Sequence, residues 1–317
     1  MNSILKSFFY RTFKTKGFWI QFAILGTIGL LIGLGIVLAA NGFRYNYENA
    51  KETMDRNAYY FEYEYQLLNF RDMSLIGING GILSASASLP HIPLCVITIL
   101  FSIRFHAEYS SGSMRNYIVS GYSRQQAYRS LFVGFLVYCA ALYAAYAFSM
   151  VAVLGIGQLY SGFEGALDVG EYFACIGLSF LCYVAYYAFA YFLNTAMGGR
   201  GFAGPLCLMI YFVFAIVTSL TTAFFALSQS SILYENDYDE EAVKNVANVL
   251  RIICTFTPSG QSTILGSGHL STPAFTGFPF GEDFTLMNVI VIVIENAGLG
   301  VGTFFLGQTI LAHRDLK

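Results

Sequence analysis

Residues 18–40 read FWIQFAILGTIGLLIGLGIVLAA, and from Phe18 to Ala40 there is no charged side chain. A helix needs about 20 apolar residues to cross a hydrocarbon core about 30 Å thick, so this stretch alone is long enough to span a bilayer. Five more apolar stretches follow, at 82–105, 131–157, 172–193, 202–227 and 285–311. The expected fold is therefore an all-α membrane protein, one transmembrane domain over 1–317 with six membrane-spanning helices. Composition agrees, because 56% hydrophobic residues, 11% charged residues and a mean hydropathy of +0.57 do not describe a soluble core.

The connecting stretches alternate in charge. With the first terminus inside, the cytoplasmic side receives Lys6, Arg11, Lys14, Lys16, Arg104, Arg115, Arg124, Arg129, Arg200, Arg314 and Lys317, against only Glu108 and Asp315. That is eleven of seventeen basic residues; the opposite side receives six basic and sixteen acidic ones. Short inner loops rich in Lys and Arg set orientation, so both termini are expected in the cytoplasm. The loop 106–130 is then cytoplasmic, and 41–81 and 228–284 are extracellular, the latter a large insert between the fifth and sixth spans.

Six cysteines are present, but they show neither a disulfide framework nor metal-type spacing. A cleaved signal peptide is not expected, since a basic segment of sixteen residues precedes an apolar stretch too long for a signal core. In that segment Ile4, Leu5, Phe8, Phe9 and Phe13 share a helical face, with Lys6, Arg11 and Lys14 away from its centre. The pattern predicts an amphipathic helix over 1–17 lying in the inner interface, apolar side down and cations toward anionic headgroups. The plainer alternative is a basic leader that only fixes topology. Gly26, Gly29, Gly33 and Gly35 give the first span a small-residue face, including a Gly29/Gly33 pair at GxxxG spacing, that would let another helix approach.

Other features are read span by span. Pro90 and Pro93 flank His91, so the second span is expected to kink or to start late. Tyr138, Tyr143, Tyr146, Tyr183, Tyr186, Tyr187 and Tyr191 crowd the third and fourth spans; hydroxyls in a bilayer need partners, so these helices should face protein. Val243, Val246, Val249, Leu250, Ile253 and Phe256 recur at helical spacing, predicting a short outer amphipathic helix over 240–256. Glu295 sits midway along the last span, where a carboxylate costs about 2.5–3.5 kcal/mol and must face a cavity or a partner.

The inner loop is the most distinctive segment: Arg104-Phe-His-Ala-Glu108-Tyr-Ser-Ser-Gly112-Ser-Met-Arg115-Asn-Tyr-Ile-Val-Ser-Gly121-Tyr-Ser123-Arg124. A helix over 108–119, ended at Ser120-Gly121, can enter a groove on a soluble protein, with Glu108, Arg115 and Arg124 available for charge-assisted contacts. The plainer reading is that Arg115, Arg124 and Arg129 only retain the loop inside, which leaves the two glycine-punctuated elements unexplained.

This stretch resembles the corresponding loop of permease subunits in the type-2 family of ABC exporters, where an acidic residue precedes a Gly-Thr-Leu-Arg-like and then a Gly-x-Ser-Arg element. Here they appear as Glu108, Gly112-Ser-Met-Arg115 and Gly121-Tyr-Ser123-Arg124, with Ser113 and Met114 departing from the commoner residues. The resemblance implies an ATPase-coupling role for Glu108, Gly112, Arg115, Gly121, Ser123 and Arg124. It also implies pairing with a second copy or a homologous permease, and docking of two separate nucleotide-binding ATPase subunits. ATP and Mg are then bound by that partner, because this chain has no G-x-x-x-x-G-K-[ST] loop and is not expected to be an enzyme.

In that family the route runs between two permeases along the second and fifth spans. The fifth span here offers Tyr211, Phe214, Thr218, Ser219, Thr222 and Phe225, with His91 and Glu295 as further path candidates. Rings interleaved with hydroxyls suit an amphipathic or hydrophobic cargo, best a peptide such as a bacteriocin or cytolytic peptide. The expected location is the plasma membrane of a bacterium, with membrane lipid as a partner and no nucleic acid. The alternatives are an ion- or proton-coupled secondary transporter or channel using Glu295, and a polytopic membrane enzyme. Against the first, no internal repeat is evident; against the second, no His cluster, H-E-x-x-H or nucleophile motif is found.

Overall fold

The computed structural model describes residues 3–52, 92–161, 169–198, 202–213 and 286–313, with isolated helical positions at 216, 242, 245, 246 and 249. Among the described residues all regular structure is helical and none is strand. The helices are α1 (Ser3–Phe13), α2 (Lys16–Glu52), α3 (Ile92–Ser110), α4 (Ser113–Val119), α5 (Arg124–Ser161), α6 (Val169–Ala196), α7 (Ala203–Val213) and α8 (Leu286–His313). Among the described residues two stretches, Lys16–Leu38 of α2 and Arg124–Gly157 of α5, are long and apolar enough to cross a membrane.

The helices α2, α5 and α6 overrun the apolar stretches that announced them. At 37 residues α2 is about 55 Å long and runs to Glu52, so the start of the outer region 41–81, expected as a loop, continues the helix. A bilayer sets a minimum apolar length, whereas helical hydrogen bonds are internal and persist in water. Pro93 falls in the first described turn of α3, where a missing N–H costs nothing, so the described helix starts there without needing a kink. Pro90, His91 and most of 240–256 lie outside the described residues; positions 242, 245, 246 and 249 are helical.

Packing centres on α5, which carries α2 along one side and also meets α1, α3 and α8, while α6 pairs with α8. The α2–α5 seam is close because of glycine. A methyl at Gly29 would collide with Ser149 Oγ and the Tyr146 carbonyl, and one at Gly33 would lie 2.9 Å from the Met150 carbonyl. Gly26 and Gly35 meet nothing within 4 Å, so of these four α2 glycines the GxxxG pair lies in the seam; α5 adds Gly157, where a Cβ would lie 2.5 Å from the Val37 side chain. Lipid is as apolar as leucine, so such contacts, rather than escape from water, hold helices together in a bilayer.

The tyrosines face protein, as expected: Tyr138, Tyr143, Tyr146, Tyr183, Tyr186, Tyr187 and Tyr191 are all buried. Several hydroxyls bridge helices. Tyr138 Oη donates to Gln21 Oε1 (2.7 Å), Tyr186 Oη to the Cys207 carbonyl (2.6 Å) and Tyr191 Oη to the Tyr128 carbonyl (3.1 Å). At the end of the bundle near α1, Phe135 is met by Phe8, Phe101 and Phe105 at ring distances of 4.9, 5.1 and 5.5 Å.

Candidate functional site

The segment 104–124 folds as an elbow whose two glycines are conformational stops. Gly112 ends α3 and opens α4 at φ 70, in the left-handed region that penalises a Cβ. At the far end of α4 the Gly121 N–H donates to the Ile118 carbonyl (3.0 Å) and the Tyr122 N–H to the Tyr117 carbonyl (3.2 Å), with Gly121 at φ 90. That pair of bonds is a Schellman stop. Two residues on, the Gln126 N–H donates to Ser123 Oγ (3.1 Å) and the Ser123 N–H to Gln126 Oε1 (3.0 Å), a capping box that starts α5. Gly121→Ala is therefore expected to cost about 1–2 kcal/mol, and Ser123→Ala about 1 kcal/mol, measured by thermal unfolding in detergent.

The inner wall of the elbow is held by one carboxylate between two guanidiniums. Glu108, 7% exposed, accepts a hydrogen bond from Arg104 Nη2 on Oε1 (2.9 Å), and its Oε2 forms an ion pair with Arg11 Nη2 (3.0 Å). The same Arg11 donates through Nη1 to Ser113 Oγ (2.6 Å) and through Nη2 to the Tyr117 hydroxyl. Arg104 also reaches Thr12 Oγ1 (3.2 Å), and Ser3 Oγ bonds the Tyr122 hydroxyl. The helix α1 is thus clamped at both ends to α3, α4 and the turn beyond.

That clamp corrects two expectations. The stripe of α1 that is fully buried is Ile4, Phe8 and Thr12, turned toward the bundle, so the apolar side does not simply lie on lipid. Gly134 leaves the socket, since a Cβ there would lie 2.6 Å from the Phe8 ring. Glu108, expected to be available for charge-assisted contacts with a soluble partner, is in this chain paired with Arg104 and Arg11.

Arg124 is also engaged within the chain. Its Nη1 donates to the Ala312 carbonyl (3.0 Å), and Arg129 Nε donates to Gln308 Oε1 (3.0 Å). A cation among the last carbonyls of α8 satisfies orphan acceptors and complements the helix dipole. It also brings the end of α8 to the same end of the bundle as α1 and the elbow. Of the six residues assigned to coupling, Gly112, Gly121 and Ser123 shape the elbow, Glu108 and Arg124 lock it, and only Arg115 is a charged group on its outer surface. Arg115, Asn116 and Val119 are exposed, Val119 at 79%, and no described carboxylate pairs with Arg115.

A second feature is an apolar groove of about 470 Å³ between α3 and α7. Ile99, Ile103 and His106 line one wall and Leu208, Met209 and Phe212 the other. At its floor α7 sits close on α3: a methyl at Gly204 would lie 2.9 Å from Ser102 Cβ, and Ser102 Oγ accepts from Asn194 Nδ2 (3.1 Å). Among the residues proposed for a path, Tyr211 is buried and packs edge-on against Tyr186 (5.6 Å), away from an open surface. Phe214, Thr218, Ser219, Thr222, Phe225 and His91 lie outside the described residues. Glu295 is half-buried on α8, and its neighbour Asn296 is buried, donating to the Ile292 carbonyl (2.8 Å) and to Cys182 Sγ (3.5 Å).

Sequence reasoning missed Arg11 as a partner of the elbow, and it missed Asn194 and Asn296. Contacts across 97 or 92 positions, as in Arg11–Glu108 and Asn194–Ser102, leave no local periodicity to read. The sequence signal was slight: Asn194 stands just past the fourth apolar stretch, and Asn296 lies in the sixth beside Glu295. Among the described residues no group of His, Cys, Asp and Glu has the arrangement of a metal site. No family model matches the chain, and no curated protein or solved structure matches it.

Proposed function

We propose that the chain is the transmembrane permease subunit of an ATP-driven exporter of the type-2 ABC family, with six spans and both termini in the cytoplasm. The observation that carries this reading is the elbow. Its inner wall is locked by Glu108, while its outer wall presents Arg115, Asn116 and the bare side chain of Val119. A short rigid helix held on three sides, with one apolar knob exposed beside a cation, is suited to pass rigid-body motion from a docked soluble subunit to the helices behind it.

In this reading a separate ATPase binds ATP and Mg, a second permease faces α3 and α7, and cargo moves along that face. The groove is apolar with His106 at one wall, which favours an amphipathic or hydrophobic cargo such as a peptide. The location is the plasma membrane of a bacterium. Pull-down of the tagged chain from its native membrane tests the reading: a stoichiometric nucleotide-binding subunit with ATPase activity is expected. Val119→Asp should reduce that subunit's recovery by about tenfold or more, because a buried charge replaces an apolar anchor, while the permease inserts normally. A homo-oligomer without ATPase activity would overturn the reading. The half-buried Glu295 beside Asn296 favours ion-coupled transport as the second reading, and Glu295→Gln should then abolish transport without affecting assembly.

A further inference from the structure

The turn between α1 and α2 carries cations that no carboxylate among the described residues answers. No acidic residue precedes Glu48 in the sequence, while Lys6, Arg11, Lys14 and Lys16 all do. Glu108 is the carboxylate brought to α1, and it is taken up by Arg11 and Arg104. Among the described residues no carboxylate pairs with Lys6, Lys14 or Lys16, and all three are exposed.

The lysines sit among outward-facing aromatics. Lys14 Nζ lies 4.6 Å over the ring of Tyr10, which is 63% exposed. Trp19, 57% exposed, donates its indole N–H to the Phe13 carbonyl (3.0 Å), which holds the ring beside the residue preceding Lys14. Lys16 is three positions before Trp19 on α2, so the two side chains are neighbours on the helix surface. Below Trp19 the same face continues as Ile20, Ile24, Leu31, Leu34 and Leu38, all exposed.

We propose that this turn is a selective binding site for one anionic phospholipid. Lys14 and Lys16 hold the headgroup phosphate and its additional negative charge. Tyr10 and Trp19 sit at the interface, and the acyl chains lie along the exposed face of α2. Charge complementarity picks the headgroup, because a zwitterionic lipid offers no net charge to two lysines that no described carboxylate neutralises, Lys14 being held only by the neutral Tyr10 hydroxyl and ring. Trp at headgroup level above an apolar track is the arrangement expected of a membrane-facing surface. The proposal rests on α2 lying in a membrane and not on the transport reading.

The chain has a single tryptophan, so Trp19 is itself the reporter. The full chain is reconstituted in phosphatidylcholine bilayers containing increasing fractions of brominated phosphatidylglycerol or brominated phosphatidylcholine, and quenching of Trp19 fluorescence is followed. Quenching is expected to half-saturate at an about tenfold lower fraction of the anionic lipid, the order set by two lysines at an anionic surface. In Lys14→Gln/Lys16→Gln that preference should fall to about twofold, while Lys6→Gln, about two turns from Lys14 along α1, should keep it. Equal quenching by both lipids in the unmodified chain overturns the proposal. A preference that survives the double substitution, or that falls as far in Lys6→Gln, also overturns it, because the attraction is then diffuse. Absence of quenching by either lipid shows that α2 does not lie in the bilayer, and the proposal fails with that placement, whatever the pull-down finds.

Discussion

Glu108→Ala is expected to destabilise the chain by about 2–4 kcal/mol, whereas Arg115→Ala, seven positions along the same elbow, should leave stability unchanged. Removing Glu108 strands two guanidiniums that the fold has drawn together, and breaking one side of a buried pair costs about 3–5 kcal/mol. The expected loss is smaller than that because the Arg11 side chain is 37% exposed and can recover part of its hydration. Arg104, at 21%, recovers less. Arg11→Ala should cost less than Glu108→Ala, since Arg104 continues to neutralise the carboxylate at 2.9 Å. The check is the thermal midpoint of each variant in one detergent, together with hydrogen exchange over residues 3–13. Faster exchange in α1 for Glu108→Ala, and not for Arg115→Ala, is the expected pattern. Equal midpoints for the two variants would show that the clamp contributes nothing.

The second large effect lies at the α2–α5 seam. Gly29→Leu and Gly33→Leu each drive a side chain into the backbone of α5, at the Tyr146 and Met150 carbonyls. Backbone cannot step aside as a flexible side chain does, so the helices must separate and lose dispersion contacts along the seam. Overpacking of this kind costs about 1–3 kcal/mol at a site that relaxes, and more where it does not. Gly26→Leu and Gly35→Leu place a Cβ where nothing lies within 4 Å and should be tolerated. Cysteine crosslinking between α2 and α5, or the yield of monodisperse chain from detergent, separates the two pairs. Equal loss in all four would mean that leucine itself, rather than the seam, is the cause.

The two tests divide along a line that runs through the sequence reading. The helical class of the chain was legible because periodicity and apolar length are local properties, and the described residues are helical as expected. The tyrosines of α5 and α6 were legible as protein-facing for the same reason that they are buried: a phenol hydroxyl in an apolar environment needs a partner. Between the glycines, spacing proposed the pair Gly29 and Gly33, but it took the position of α5 to separate them from Gly26 and Gly35. The first helix continues beyond its apolar stretch at least to Glu52, because hydropathy reports the membrane thickness and not how far hydrogen bonding runs.

The candidate site was legible as a segment, while the internal partners of its charged residues were not. Glycine spacing located the elbow, since only a residue free of a Cβ takes φ 70 or φ 90 without strain. The same reading treated Glu108, Arg115 and Arg124 alike, as three charges available for charge-assisted contacts. Charge type and spacing are properties of the sequence; which side of a helix faces protein depends on what packs against it. By itself the sequence determined that the chain would be helical, apolar, and punctuated at Gly112 and Gly121, because these follow from bonds and sterics within a few residues. Only the tertiary structure decided that Glu108 is an internal lock, that Arg124 closes α8, and that Arg115 and Val119 remain outside. The reason is that a carboxylate drawn between Arg11 and Arg104 is fixed by contacts 97 and 4 residues away, and only the first of these is set by the packing of α1.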